Sequence, residues 1–134
     1  MKKKVATCIA VVLALSAIFC VNVFAVRKTI TLGANQVWTS TENVSRSGKY
    51  SYGSARCYSV YPVNGGLDFF DKIQVQICTT VGVPISQIVV LSEKITVEGK
   101  IPLMEGYLNQ KAIIFKFRGN GSAAAKADVY YSGN

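Results

Sequence analysis

The feature that most constrains the fold is a two-residue alternation of apolar and polar side chains. In the stretch FDKIQVQICTT, residues 70–80, isoleucine and valine alternate with lysine and glutamine. Successive side chains of a β-strand point to opposite faces of a sheet, so this pattern predicts a strand with one buried face. Cys78 falls on the polar face, although cysteine is among the most buried residue types. The pattern therefore predicts a strand and leaves one position to be explained.

Similar short runs recur along the chain, and Gly, Pro, Asn and Ser separate them. The candidate strands are 29–32, 36–40, 50–63, 71–81, 86–93, 94–103, 110–120 and 126–134. About 7–8 strands of this length predict an all-β fold, an antiparallel β-sandwich with Ig-like or jelly-roll-like topology. Gly53, inside the third candidate, predicts a β-bulge.

Residues 1–25 have the pattern of a secretory signal peptide. Lysines at positions 2–4 precede a long apolar run, and Val23 and Ala25 occupy the −3 and −1 positions that a signal peptidase reads. We expect a signal-peptide helix, cleavage near Ala25, and one secreted domain over residues 26–134 with no membrane span. The alternative is an uncleaved membrane anchor, because the apolar run approaches the ~20 residues that cross a bilayer.

The charge of the expected mature chain indicates which partners suit it. Without the three lysines of the signal segment, 12 basic residues face 7 acidic ones, a net charge of +5. An exported basic surface favours an anionic cell envelope or an acidic polysaccharide over nucleic acid. The alternative is that the charge only keeps the protein soluble.

Cys57 and Cys78 remain after the signal segment is removed. Two cysteines in an exported domain predict one disulfide. If segments 50–63 and 71–81 pair as a hairpin, the two cysteines face each other on the outer face, and Tyr58 and Val60 point inward. Closing that 22-residue loop would stabilise the domain by roughly 3 kcal/mol. A disulfide would thus explain the cysteine on the polar face.

The sequence offers no sign of catalysis. It contains no histidine, which excludes Ser-His-Asp and Cys-His mechanisms and removes the commonest zinc ligand. The two remaining cysteines form no CxxC motif and are too few for a thiolate metal site. No pair among the seven acids stands out as catalytic. We expect a protein that is not an enzyme and holds no cofactor or metal.

The aromatic residues are the most suggestive binding feature. Tyr50 and Tyr52 lie close in sequence to Arg46, Lys49 and Arg56. Exposed tyrosine rings are flat platforms with a polar hydroxyl, and aromatic and arginine residues are enriched at contact surfaces. We predict a glycan-binding surface at these five residues. The alternative is that the tyrosines are core or cross-strand pairs. Single-stranded nucleic acid would suit the same residue types, but the export signal argues against it.

These observations favour a secreted non-catalytic protein that binds cell-envelope or extracellular glycan. A signal segment followed by a small basic all-β domain resembles secreted bacterial β-sandwich proteins, some of them bacteriocins. The resemblance covers the architecture of the whole chain. It implies an alternative, a bacteriocin-like or host-directed effector that acts on a protein or lipid target. A third possibility is a self-assembling structural subunit whose edge strands pair between copies.

Overall fold

A computed structural model describes residues 23–65 and 70–134, and in these residues the chain is almost entirely β. The predicted signal-peptide helix falls mainly in residues 1–22, outside the described residues. One short 3₁₀-helix follows β7, at Glu105–Tyr107. The strands are β1 (Ala25–Leu32), β2 (Thr39–Ser40), β3 (Val44–Ser45), β4 (Tyr52–Pro62), β5 (Lys72–Cys78), β6 (Val89–Ser92), β7 (Gly99–Pro102), β8 (Ala112–Gly119) and β9 (Ala125–Ser132).

The strands form two sheets in which every pair is antiparallel. Sheet I has the order β1-β9-β4-β7. Sheet II has the order β2-β8-β5-β6, and β3 also pairs with β8. The first and last strands are therefore neighbours, while β4 and β5 lie in different sheets. Two antiparallel sheets confirm the all-β prediction and agree with a β-sandwich.

The core forms where the inward faces of the two sheets meet. In sheet II, Ile73, Val75 and Ile77 are fully buried on alternate positions of β5, as the opening pattern predicts. In sheet I, Tyr131 of β9 is also fully buried, and its ring centroid lies 5.1 Å from that of Phe115 in β8. Aromatic rings at this distance pack favourably, so this pair joins the two sheets.

Gly53 does not form the predicted bulge. It pairs regularly with Ile101 of β7. Glycine is required here because the opposite sheet leaves no room for a side chain. A Cβ at this position would lie 2.6 Å from Ile77 Cδ1 and 3.2 Å from Phe115 Cζ. The bulge of β4 lies further along, where the register with β9 shifts between Cys57 and Ser59.

The predicted disulfide between Cys57 and Cys78 is wrong: both cysteines are free and buried. The error came from assuming that consecutive strands pair. β4 pairs with β7 and β9, whereas β5 pairs with β6 and β8, so the two cysteines belong to different sheets. Burial raises the pKa of the Cys57 thiol to about 12, and the charge of Glu93 adds to the rise.

Cys78 is buried because it ends its strand where the chain folds back. Just after it, Thr79 N donates to Val83 O at 2.8 Å, and Ile85 N donates to Ile77 O at 2.9 Å. These bonds place the returning chain beside Cys78, which bridges to Pro84. The alternation rule predicts which face a strand residue occupies, but at a strand end the adjoining loop decides burial.

Candidate binding surface

The outward face of sheet I carries most of the tyrosines and several cations. The register places Arg27 of β1 opposite Tyr130 of β9, and Tyr130 opposite Arg56 of β4. These three side chains form a row across the face. We call the surface the basic tyrosine face; its members are Arg27, Tyr52, Arg56, Tyr58, Tyr61, Lys100, Lys126 and Tyr130. The acid at the outward positions of these strands is Asp128, so the face has an excess of positive charge.

Two arginines lie against one tyrosine ring at the centre of this face. The guanidinium carbon of Arg27 is 3.8 Å from the Tyr58 ring centroid, and that of Arg56 is 4.2 Å away. A guanidinium within about 6 Å of an aromatic centroid is attracted by the ring. Tyr58 is the residue at the β4 bulge, and bulges commonly re-aim a side chain. The bulge thus accounts for a ring that contacts arginines from two strands.

Arg27 has one carboxylate partner. Its Nη2 donates to Asp128 Oδ2 at 3.1 Å, and this hydrogen bond raises the pKa of the guanidinium. Because both side chains are partly exposed, such a pair contributes little to stability. Its main effect is to orient Arg27 on the face.

A pair of tyrosines, Tyr50 and Tyr52, extends the surface beyond the start of β4. The ring centroids of Tyr50 and Tyr52 are 5.3 Å apart. Lys49 Nζ lies 5.4 Å from the Tyr50 centroid, and Lys100 Nζ lies 5.0 Å from that of Tyr52. Four of the five predicted site residues, Lys49, Tyr50, Tyr52 and Arg56, therefore lie on or next to the basic tyrosine face.

Arg46 lies apart from that face, with 5% of its surface exposed. Its guanidinium donates to the carbonyl oxygens of Tyr50 at 2.5 Å, Leu108 at 2.9 Å, Gly133 at 3.1 Å and Gln110 at 3.4 Å. Burial lowers its pKa. Its donors are occupied by carbonyls, so Arg46 fixes the chain that leads to Tyr50 and Tyr52. We therefore leave it out of the binding surface.

A polar cleft of about 290 Å³ adjoins Arg46. Its walls come from the loop after β3 and from the chain between the 3₁₀-helix and β8. Ser47, Asn109, Gln110 and Lys111 contribute polar groups there. Arg46, in the wall of this cleft, also donates to the Tyr50 carbonyl oxygen.

Another polar cluster lies where β1 and β9 of sheet I meet the segment between β2 and β3. Glu42, between β2 and β3, accepts from Lys28 of β1 at 2.7 Å and from the Tyr131 hydroxyl at 2.9 Å. Burial by itself would raise the pKa of Glu42, but the hydrogen bonds from Lys28 and Tyr131 lower it below its ordinary value. Burial and the bond to Glu42 raise the pKa of Tyr131. This cluster links β1 and β9 of sheet I to the segment between β2 and β3.

Sequence reasoning missed the centre of the face. It placed Tyr58 inward because it assumed that Cys57 faces outward. Counting by two from Tyr52 puts Arg56 and Tyr58 on the same side, so the alternation held a usable signal. The partners on other strands, Arg27 and Tyr130, carried no such signal, because only the tertiary pairing brings β1, β9 and β4 together.

The outward face of sheet II also has an arginine against an aromatic ring. The Arg118 guanidinium carbon lies 4.2 Å from the Trp38 ring centroid. Unlike Arg56, Arg118 also donates through Nε to Gln74 Oε1 at 2.7 Å. Arg118 therefore offers a matched control for substitutions at Arg56.

In comparisons with known proteins, no family model, curated protein or solved structure matches this chain. Within residues 23–65 and 70–134, no group of three or more His, Cys, Asp or Glu side chains is arranged to hold a metal ion. Over the same residues, no helix has the length and apolar character that a membrane crossing requires.

Proposed function

We propose that this is a secreted, non-catalytic protein that binds anionic glycan of the cell envelope or the extracellular matrix through the basic tyrosine face. The observation that carries the proposal is the Tyr58 ring with Arg27 and Arg56 against it on an open sheet. The export signal of residues 1–25 supports an extracellular ligand.

The chemistry of the face suits a charged sugar polymer. The Tyr58 ring has guanidinium groups against it and orients them, while the other tyrosine rings of the face give flat apolar platforms whose hydroxyls can hydrogen-bond to a sugar. A guanidinium presents paired donors that match a carboxylate or phosphate. Because Lys100 and Lys126 add charge away from the centre, an extended polyanion would meet cations along its length.

We also propose that the two sheets form a β-sandwich of the jelly-roll type. In this fold the first and last strands are neighbours, as β1 and β9 are. An immunoglobulin-like sheet would instead place the first two strands together.

The test is retention of the purified protein on intact cell walls and insoluble polysaccharides at low and high salt. We expect retention that weakens with salt yet persists at high salt, because salt screens exposed charges but leaves ring stacking intact. Retention that disappears with salt would mean non-specific adsorption by net charge. No retention at either salt concentration would refute the glycan proposal.

Two variants locate the site. We expect Tyr58→Ala to weaken retention about tenfold, as loss of a central aromatic contact commonly does. Arg118→Gln, on the other sheet, should bind like the wild type. Equal losses in both variants would show that binding does not depend on the basic tyrosine face.

A second candidate is the self-assembling subunit. β1 has eight residues and pairs with β9 alone among the described strands, so its other edge has free backbone groups that can pair with another copy. Sedimentation at rising protein concentration tests this: oligomers would support it, and a monomer throughout would exclude it. Growth inhibition of related bacteria by the purified protein tests the effector alternative.

A further inference from the structure

A cavity at the edge of the two sheets has a different character from the basic tyrosine face. It measures about 180 Å³ and lies where β6 of sheet II approaches β4 and β7 of sheet I. Its walls are mainly apolar and include Cys57, Val89, Leu91, Ile95 and Val97. We call it the edge cavity.

Large apolar side chains are exposed around its mouth. Ile95 and Val97, in the loop between β6 and β7, are 54% and 69% exposed, and Val90 of β6 is 52% exposed. Isolated apolar residues are ordinary on a protein surface, but a group around a cavity marks an interaction site. A ligand that covered these three side chains would remove apolar surface from water.

One polar group at the cavity wall lacks a partner. Arg56 lines the cavity, and its guanidinium also lies against the Tyr58 ring. In the described part of the chain, its Nε is the buried side-chain nitrogen or oxygen that has no hydrogen-bond partner. A buried donor without an acceptor is unfavourable and calls for an explanation such as a missing ion.

Two acids adjoin the cavity wall in sequence: Glu93 follows Ser92, and Glu98 lies between Val97 and Gly99. Glu93 Oε2 accepts from Val60 N at 2.9 Å, which satisfies a backbone donor just past the β4 bulge. No ion pair among the described residues includes Arg56, so its positive charge can attract an anionic head group.

We propose that the edge cavity binds an alkyl or acyl chain that ends in an anionic head group, with the chain between Ile95 and Val97 and the head group on Arg56. This site is distinct from the proposed glycan surface, and Arg56 is the residue that the two share. At ~30 Å³ for a group the size of a water molecule, the cavity holds about six methylene groups. The ligand class is therefore a short amphiphilic anion or the end of a longer acyl chain.

The first experiment is a calorimetric titration of the full protein with alkyl phosphates of two to ten carbons. Each methylene that enters the cavity should strengthen binding about three- to fourfold, and the gain should stop near six carbons. Affinity that does not depend on chain length would overturn the proposal. So would inorganic phosphate binding as tightly as hexyl phosphate.

Variants at the mouth test the apolar half. We expect the double variant Ile95→Ser/Val97→Ser to bind hexyl phosphate about tenfold more weakly. Both side chains are exposed, so the fold should tolerate the change, and thermal unfolding checks this. Val81→Ser is the matched control, because Val81 is 86% exposed in the loop after β5 and should leave the affinity unchanged. Wild-type affinity in the double variant would refute the site.

The anionic half has its own readout. Arg56→Gln should weaken hexyl phosphate binding about tenfold but leave hexyl glucoside binding unchanged, because the neutral head group has no charge to lose. Equal effects on both ligands would refute the role of Arg56. The double variant should still be retained on cell walls as the wild type is, which separates failure of this site from failure of the glycan proposal.

Discussion

Two arginines that lie ten residues apart, Arg46 and Arg56, show how differently two regions of the molecule use the same side chain. In the segment 42–50, Arg46 is buried and donates to four backbone carbonyls. On the basic tyrosine face, Arg56 lies against Tyr58, and its Nε has no hydrogen-bond partner. The first arginine completes the fold, while the second retains donor capacity for a ligand.

Basic and aromatic residues that are close in sequence therefore do not by themselves form a binding site. Arg46 is four residues from Tyr50, yet its bond to Tyr50 is to the backbone carbonyl. Glu42 and Arg46 should therefore govern stability, and the polar groups of the basic tyrosine face should govern binding. The following predictions test that division, beginning with the largest expected effect.

Replacing Arg46 by methionine should destabilise the protein by about 3 kcal/mol or more, because several carbonyls lose a charged donor in a buried setting. Urea unfolding at neutral pH measures the change. Arg46→Lys should recover part of the loss, since lysine restores a charge but not the forked donor geometry. A loss below about 1 kcal/mol would place Arg46 with the surface residues and remove the distinction between the two arginines.

Gly133→Ala should cost about 2 kcal/mol. A Cβ at Gly133 would collide with the Ser45 carbonyl oxygen, and backbone atoms cannot easily move aside. Gly121→Ala is the control, because no atom lies within 4 Å of a Cβ built there. If both variants unfold at the same urea concentration, the segment 42–50 is not packed against the C-terminal residues as described.

Glu42→Gln should cost about 1 kcal/mol at pH 7 and should flatten the acid side of the stability curve. The folded pKa of Glu42 lies below its ordinary value of 4.5, so its contribution is present above that value and is lost as the pH falls through the folded pKa. Urea midpoints between pH 3 and 7 measure this. A parallel acid limb in wild type and variant would contradict the assignment.

Arg56→Gln should change stability by less than about 0.5 kcal/mol, because the Arg56 Nε has no hydrogen bond to lose, while it weakens glycan retention. The same preparation can be used for urea unfolding and for cell-wall retention. The comparison of the two arginines fails if Arg56→Gln unfolds the protein as readily as Arg46→Met does.

The smallest effect is expected from a reducing agent. Because Cys57 and Cys78 are free and lie in different sheets, reduction should leave the urea midpoint unchanged. A disulfide would have contributed roughly 3 kcal/mol. Mass spectrometry after alkylation of the unfolded chain 26–134 should find two modified thiols, and a mass with neither thiol modified would indicate a disulfide.

The candidate site could be predicted in part. Tyr52 and Arg56 fall on one side of β4 by simple alternation, and both lie on the basic tyrosine face. Tyr58 was placed wrongly because a hairpin between β4 and β5 was assumed. Arg27 and Tyr130 could not have been found, since they lie far from Tyr58 in sequence and reach it only through the order β1-β9-β4.

Residues 94–97 of one candidate strand lie in a loop, and β3 was not a candidate. The amino-acid sequence nevertheless located the other strands, because side-chain alternation is a local property of an extended backbone. It also determined the excess of basic residues and the absence of histidine. Only the tertiary structure decided which strands pair, and hence that Cys57 and Cys78 stay apart and that Arg46 is buried. Pairing depends on how two whole sheets bury their apolar faces together, and that energy is not contained in any single stretch of the chain.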